Sequence, residues 1–569
     1  MTADRTGAVR GIRALARLVP WDPGSDPELD RALSFLGWEL DAATVQRGAD
    51  GGGLLAALAV AVPATLLGFG AVGLGLALAA GAGVAVGGRA TPRAVATARR
   101  TRALGGAPEL VSRAVLRMRL TPNTETVAAF AAETGRGRLA ESLRVHADRA
   151  RGTGRSGLAS FAEEWAEWFP ALRRAMSLVE SAGSARPEER ERALDTALTV
   201  TLEGTRETMA EFAASVRGPA TALYAFGVLL PLALVAMVPA ASTIGLEVPL
   251  SVLLVGYDVV LPVGLLAASA WLLVRRPVAF PPVQIPRSHP AVPDGHWRSV
   301  LAAAVTGTVA WVAAGRVVAA WTPWLVGPSV AVGAGLAVRY RPMTGVRAEV
   351  RAVEAGLPDA LSLVGREVSR GRAVETAMDV AAETLETATA DVLAEATRTQ
   401  RQLEVGVRES LVGEYGALRT VPSERALGTA ELLALAAAEG KPAGPAVVAM
   451  ADHLEDLQSV EREVRRQLQQ VTSTLSNTAT VFGPLVGGAT VSLAEQMQAE
   501  GPLSGGAPPS VLGLAVGAYV LVLAAVLTAL ATGLERGLDR SLVGYRAGRA
   551  LLAAPTVFCL GLVATRSLV

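Results

Sequence analysis

Residues 106–133 have the sequence GAPELVSRAVLRMRLTPNTETVAAFAAE, and residues 356–383 have the sequence GLPDALSLVGREVSRGRAVETAMDVAAE. The two stretches align without a gap at a separation of 250 residues, and each opens a polar helical segment between long apolar runs. This pattern predicts that the chain contains one structural unit twice. The matched positions include a glycine, a proline, an acidic residue and a Glu-Thr pair: Gly106 with Gly356, Pro108 with Pro358, Glu109 with Asp359, and Glu125-Thr126 with Glu375-Thr376.

The composition is typical of a membrane protein that also has water-facing domains. Of the 569 residues, 51% are hydrophobic and only 18% are charged, and the mean hydropathy is +0.37. The charged residues lie in blocks between apolar runs. The first fifty residues contain six arginines and no hydrophobic core of a signal peptide, so we expect the first span itself to direct membrane insertion. The single cysteine, Cys559, allows no intrachain disulfide.

The alternation of segments predicts an all-α fold with about nine transmembrane helices and two duplicated cytoplasmic helical bundles. The later spans are expected at 299–314, 317–338, 475–493 and 511–530. In order, the predicted segments are a cytoplasmic N-terminal segment (1–53), a transmembrane hairpin (54–88), a cytoplasmic helical domain (89–217), a transmembrane pair (218–275), a Pro/Arg-rich cytoplasmic linker (276–298), a transmembrane hairpin (299–338), a second cytoplasmic helical domain (339–474), a transmembrane pair (475–533), and a basic loop with a final transmembrane helix (534–569).

The distribution of arginine favours an orientation with the N-terminus in the cytoplasm. Both helical domains, the linker and the basic loop then lie on the cytoplasmic side of the cell membrane, where the positive-inside rule places arginine-rich loops. Arg316 and Arg566 are exceptions, because both fall on the outer side. The last span is short and contains Pro555, and the side of the C-terminus depends on whether this span crosses.

The sequence lacks the motifs of common nucleotide-binding and hydrolytic sites. A phosphate-binding loop needs a lysine before Ser or Thr, but the only lysine, Lys441, precedes a proline. The four histidines form no H-E-x-x-H pair for zinc, and no G-x-S-x-G motif marks a nucleophilic serine. Residues 68–73 match G-x-G-x-x-G, but no predicted strand precedes them, so they indicate a turn or close helix contact. The chain is therefore predicted not to be a Walker-type ATPase, and the sequence offers no motif for a cofactor or metal.

Asp258 is the ionisable residue that lies well inside a predicted span. A charge at that depth costs about 2.5–3.5 kcal/mol on insertion scales, which makes the residue a candidate functional group. The structural alternative is that Asp258 pairs with a neighbouring helix or lies near the headgroup boundary.

The second polar block is acidic. Residues 341–470 contain 21 acidic and 15 basic side chains, a balance that disfavours nucleic-acid binding. A charged helical surface of this kind suits a protein partner, and solubility alone would also produce it.

Two helical domains, each bracketed by membrane helices, resemble the type II secretion system protein F family. The first copy has Thr121-Pro122 where the second has Gly371, so its helix turn is expected to differ. The segments that carry the resemblance are Leu357-Pro358-Asp359-Ala360-Leu361 and Arg370-Gly371-Arg372-Ala373-Val374-Glu375-Thr376-Ala377, with Pro108-Glu109-Leu110 and Glu125-Thr126 in the first copy, Phe226-Gly227 and Phe482-Gly483 after the domains, and Phe35-Leu36-Gly37-Trp38, which is similar to archaeal two-domain members.

The resemblance implies a non-enzymatic membrane platform protein of a type IV pilus, type II secretion, tight-adherence pilus or archaellum machine. Such a protein lies beneath a growing filament, and a separate hexameric ATPase acts on it from the cytoplasm. The implied partners are that assembly ATPase, pilin-like subunits and the lipid bilayer, and a homodimer is left open. The partner-contact candidates in the two copies are Glu109, Glu125, Asp359, Arg370 and Glu375.

The glycine, the proline and the acidic residue that open each copy are expected to form helix starts and turns, not catalytic groups. A transporter of two parallel repeats would also have duplicated halves. It would need polar groups around a site near mid-membrane, and Asp258 is the one that qualifies. A prepilin substrate is excluded more firmly, because it would be short with one N-terminal apolar helix.

Overall fold

The computed structural model describes residues 2–568 except 25, 67–69, 154–155, 244–248, 278–282, 284, 287, 294, 441–442 and 501–507. Every regular element in this part of the chain is helical. The α-helices are α1 (Thr2–Ala16), α2 (Pro27–Leu36), α3 (Ala42–Leu66), α4 (Gly70–Leu104), α5 (Ala107–Leu120), α6 (Thr124–Thr134), α7 (Gly137–Ala150), α8 (Leu158–Trp165), α9 (Pro170–Ala182), α10 (Pro187–Tyr224), α11 (Leu230–Thr243), α12 (Leu250–Val255), α13 (Leu261–Val274), α14 (Trp297–Val317), α15 (Pro323–Ser369), α16 (Val374–Thr384), α17 (Ala388–Leu403), α18 (Val407–Val412), α19 (Glu424–Glu439), α20 (Gly444–Asn477), α21 (Gly483–Glu500), α22 (Pro509–Arg536) and α23 (Arg540–Leu568).

Seven helical stretches in the described residues are long and apolar enough to cross a membrane. Two predicted spans, at 317–338 and 475–493, are not among the seven, because glycine, proline, threonine and serine lower their hydropathy. The final helix, α23, is continuous through Pro555. The seven stretches are Ala42–Leu66, Gly73–Leu120, Pro187–Met237, Ser251–Val274, Trp297–Val317, Pro509–Arg536 and Arg540–Leu568.

The two copies of the repeat differ at their first helix. Gly106 precedes α5, and Pro108 lies at its start, where a missing N–H costs little. In the second copy, Gly356 and Pro358 lie inside α15, so the prediction that they form a helix start is wrong. Gly356 is needed there for packing, since a Cβ atom would come within 2.5 Å of Thr389 Oγ1.

The turn after the first helix also differs between the copies. In the first, the side chain of Asn123 caps α6 by accepting a hydrogen bond from the N–H of Thr126 at 3.0 Å. In the second, Gly371 has φ of +97°, a left-handed conformation that glycine adopts without steric cost. The expectation of a different turn at Pro122 and Gly371 is confirmed by these dihedral angles and capping contacts.

Each polar block has its own buried core. In the first block, α5 to α10 enclose side chains that include Met118, Leu143 and Phe161. In the second, the C-terminal part of α15 packs with α16 to α20 around Val350, Leu361 and Val447. Burial of these apolar groups is the main favourable term that holds each bundle together.

Three long helices connect these bundles with the apolar part of the molecule. α10 continues through a π-helical turn (Ala225–Leu229) into α11, and α20 continues through another (Thr478–Phe482) into α21. α15 has 47 residues, which is a length of about 70 Å at 1.5 Å per residue. Buried residues of α10, α20 and α22 belong to one core without a break.

Each π-helical turn ends two residues before a proline. Proline has no N–H to donate, so the preceding turn widens and leaves a carbonyl without its usual helical donor. The hydroxyl of Tyr519 in α22 donates to one such oxygen, that of Gly227. The turn–proline pairs are Ala225–Leu229 with Pro231, Gly256–Val260 with Pro262, and Thr478–Phe482 with Pro484.

Candidate functional site at the junction of the domains and the membrane helices

A cavity of about 660 Å³ lies where both helical bundles meet the ends of the apolar helices. It is enclosed by α5, α15, α19, α20, the linker after α13 and the segment between α22 and α23. Its charged lining residues are Glu109, Arg113, Arg136, Arg276, Arg347, Arg351, Glu354, Glu424, Arg425, Glu431, Glu461, Arg465, Glu535 and Arg536.

The first bundle contacts the second through α5. Leu116 of α5 is buried within the core of the second bundle. The hydroxyl of Ser112 donates to the sulfur of Met450 in α20 at 3.1 Å. A Cβ atom on Gly428 of α19 would come within 3.0 Å of the Arg113 guanidinium. The first copy of the repeat therefore forms the interface between the two bundles.

The part of the cavity between α5, α19 and α20 has balanced charge. Arg113 pairs with Glu109 at 2.5 Å. Arg425 pairs with Glu461 at 2.9 Å and with Glu354 at 3.8 Å. Burial opposes the charge of Arg425, but the nearby carboxylates outweigh it and raise the pKa of this side chain.

Arg347 connects α15 to the segment between α22 and α23. It pairs with Asp539 at 2.6 Å and donates to the Ser541 hydroxyl at 3.1 Å; Arg347 is buried, and Asp539 is partly buried. Burial raises the free energy of the charged Asp539 carboxylate, but hydrogen bonds from Ser541, from the N–H of Leu542 and from Arg347 outweigh this and lower its pKa.

The opposite end of the cavity has an excess of arginine. Arg276 is 93% buried, and its Nε donates to the carbonyl oxygen of Leu534 at 2.8 Å. Arg351 donates to the carbonyl oxygen of Arg347, on its own helix, at 3.1 Å. Within the described part of the chain, neither guanidinium has a carboxylate partner.

The arginines at this end of the cavity repel one another. Burial and the charge of Arg465 lower the pKa of Arg276 to about 10. Burial and the charges of Arg536, Arg465, Arg347 and Arg546 also lower the pKa of Arg351. At neutral pH both side chains therefore stay positively charged in surroundings that would favour an anion.

The structure places one of the predicted partner-contact residues at this cavity. Glu109 lines it, whereas Glu125, Asp359 and Glu375 lie exposed on the bundles. Arg370 is also exposed and pairs with the buried Glu367 at 2.5 Å. The five predicted residues therefore do not form one site.

Asp258 lies in the π-helical turn Gly256–Val260, with its side chain exposed on the outer surface of the apolar helices. The expectation that it pairs with a neighbouring helix is not met by any described residue. Its neighbour Tyr257 points inward instead, where its hydroxyl donates to the carbonyl oxygen of Pro231 and its ring meets that of Tyr519 edge to face.

The arginines at the positively charged end of the cavity were not among the predicted site residues. They lie in four distant segments: Arg276 after α13, Arg347 and Arg351 on α15, Arg465 on α20 and Arg536 at the end of α22. The sequence contains one signal for this proximity, because Arg276 and Arg536 each directly follow or end an apolar run, and the ends of such runs are expected at a common depth. Comparison with family models, curated proteins and solved structures gives no match.

The buried His453 is expected to make the stability of the contact between the bundles depend on pH. It is 3% exposed on α20, and burial together with the charge of Arg119 on α5 lowers its pKa to about 4. Below its ordinary pKa of about 6.5 the unfolded chain binds a proton that the folded chain does not. We therefore expect stability to fall by about 3 kcal/mol as the pH is lowered from about 6.5 to about 4.

Thermal unfolding of the solubilised protein at a series of pH values measures this effect. His453→Gln should remove most of the loss of stability between about pH 6.5 and about pH 4. The control is His146→Gln, because His146 pairs with Glu164 at 2.6 Å on the surface of the first bundle. An unchanged pH dependence in His453→Gln would show that this histidine does not control the interface.

Proposed function

We propose that this protein is a non-enzymatic membrane platform of a type IV pilus-like filament or secretion machine, located in the cell membrane. In this role it couples a cytoplasmic hexameric ATPase to the insertion or extraction of pilin-like subunits. The observation that carries the proposal is that helices run without interruption from both helical bundles into the apolar core, as α10 and α20 do at Tyr224 and Asn477. The resemblance of the duplicated segments to the protein F family supports it.

We also propose nine crossings, with two duplicated bundles on the cytoplasmic side. The first part of α15 and α21 both pack against α23, which is apolar enough to cross. The contact is close because small residues face each other, and a Cβ atom on Gly333 would come within 2.8 Å of the Gly548 carbonyl oxygen. Helices that pack closely against a membrane-spanning helix are expected to lie at the same depth in the bilayer.

The same topology accounts for an arginine on the outer side. Arg566, near the end of α23, pairs with Glu495 of α21 at 2.5 Å and donates to the carbonyl oxygen of Val318 at 2.7 Å. Neutralisation by a carboxylate reduces the cost of a positive charge at the outer surface, where the positive-inside rule disfavours it.

A transporter of parallel repeats is less well supported. Such a protein needs polar groups that line a site between helices near mid-membrane. Asp258 lies on the outer surface of the apolar helices instead. Among the described residues, the large polar cavity lies at the ends of these helices and not between their middle parts.

Deletion of the gene tests the proposal in the host organism. We expect the deletion strain to lack a class of surface filament or secreted product, and a copy of the full chain to restore it. Electron microscopy of the cells and analysis of the culture medium measure this. A strain with unchanged filaments and secretion, but with altered uptake or export of a solute, would favour the transporter.

A further inference from the structure

The strongest unassigned feature is an arginine cluster, which we define as Arg276, Arg347, Arg351, Arg465 and Arg536. All five side chains line the same cavity. Among the described residues, three carboxylates pair with the cluster, and two of these are shared, because Glu461 also pairs with Arg425 and Glu535 also pairs with Arg546. The cluster therefore has an excess of positive charge.

The surroundings of Arg276 show that the excess of positive charge is a property of the folded structure. A guanidinium that is buried without a carboxylate is costly, because water no longer solvates its charge. The chain nevertheless holds Arg276 in place with a hydrogen bond to Leu534, and Arg465 lies close enough to repel it. An anion in the cavity would offset both the desolvation and the repulsion.

The position of the cluster indicates where that anion comes from. Arg276 follows the last residue of α13 by two positions, and Arg536 is the last residue of α22. Arg347 pairs with Asp539, which directly precedes α23. The cluster therefore lies at the ends of three apolar helices, which is the depth of lipid headgroups on the side of the bundles.

We propose that the arginine cluster binds a phosphate group, as carried by an anionic phospholipid headgroup or by free phosphate. Arginine suits this ligand because its planar fork of N–H donors matches two phosphate oxygens at once. A volume of about 660 Å³ admits a headgroup. The bound phosphate would link α15 and α20 of the second bundle to the ends of α13 and α22.

Two arms of one experiment distinguish the sources. In the first, the full chain is placed in nanodiscs of phosphatidylcholine, alone or mixed with phosphatidylglycerol. In the second, the delipidated protein in neutral detergent is titrated with inorganic phosphate against chloride at equal ionic strength. The thermal midpoint is measured in both, since a ligand that binds the folded state raises it.

The test variants are Arg276→Gln and Arg351→Gln, and the matched control is Arg275→Gln. Arg275 has the same charge at the same depth as Arg276, but it does not line the cavity and stacks over Trp271 at 4.1 Å. We expect the response to the effective probe to weaken roughly tenfold in each test variant, because each loses a charge-assisted hydrogen bond, and to persist in the control.

A response to phosphatidylglycerol supports the lipid as the source, and a response to inorganic phosphate alone supports the free anion. The proposal is overturned if the unaltered protein responds to neither probe, or if both test variants respond as it does. Arg351→Gln keeps the test valid should Arg276→Gln fail to fold, because the hydrogen bond that Arg351 forms is to its own helix.

Discussion

Insertion of Gly-Ser-Gly-Ser after Gly345 is expected to abolish filament assembly or secretion while the protein still enters the membrane in normal amount. Gly345 lies in α15 between its first, apolar part and the part that belongs to the second bundle. It is exposed, and a Cβ atom there would have no neighbour within 4 Å, so the site has room for an insertion. A flexible segment would interrupt the helix and prevent it from transmitting a displacement.

The matched control is the same insertion after Glu404. This residue lies in the exposed connection between α17 and α18, within the second bundle and away from the membrane helices. Its variant should assemble filaments normally, because loops tolerate insertions far better than helices. Membrane fractionation confirms insertion of both variants, and electron microscopy counts the filaments. Normal assembly with the interrupted α15 would contradict transmission through this helix.

Arg347→Ala is expected to lower the free energy of unfolding by about 3 kcal/mol, because it leaves the partly buried carboxylate of Asp539 without its partner. The change would also remove hydrogen bonds to Ser541 and to the carbonyl oxygen of Val283 in the linker. α15, the linker after α13 and the segment between α22 and α23 meet only in the folded chain, and they would thereby lose a contact that all three share. Denaturant unfolding of the protein in detergent measures the loss.

Arg398→Ala is the control, because Arg398 pairs with Glu395 on the exposed surface of α17. Exposed pairs of this kind contribute about 1 kcal/mol or less. The pKa of Asp539 is lowered in the fold, so its ionised carboxylate adds to the free energy of unfolding at neutral pH. This added stability is lost as the pH falls below about 4. Equal losses in Arg347→Ala and Arg398→Ala would show that the pair of Arg347 and Asp539 does not hold these segments together.

Several features of the fold could be predicted from the sequence because they depend on local composition. Apolar runs and helical spacing predicted an all-helical membrane protein; every regular element of the described residues is helical, and seven stretches among them are long and apolar enough to cross a membrane. The predicted spans at 317–338 and 475–493 are less apolar in sequence, and the helices that contain them, α15 and α21, pack against α23, where small residues allow close contact. A helix enclosed by other helices does not need to be as apolar as one that faces lipid.

The cavity could not be predicted in the same way. Arg276, Arg351 and Arg465 are separated by long stretches of sequence, and nothing in the spacing between them indicates that they meet. The partner-contact candidates were chosen for their position in the repeat, and only Glu109 lies at the cavity because α5 forms the interface between the bundles. Asp359, the counterpart of Glu109 in the second copy, faces solvent.

The sequence by itself determined the helical class and the apolar segments, because these depend on residues near one another in the chain, and it predicted the internal repeat. Only the tertiary structure decided where the repeated helices begin and which charges meet. Gly356 and Pro358 read as a helix start but lie inside α15, since packing against Thr389 outweighs their local preference. Arg276 lacks a carboxylate partner among the described residues because long-range packing brought it to a cavity lined by other arginines.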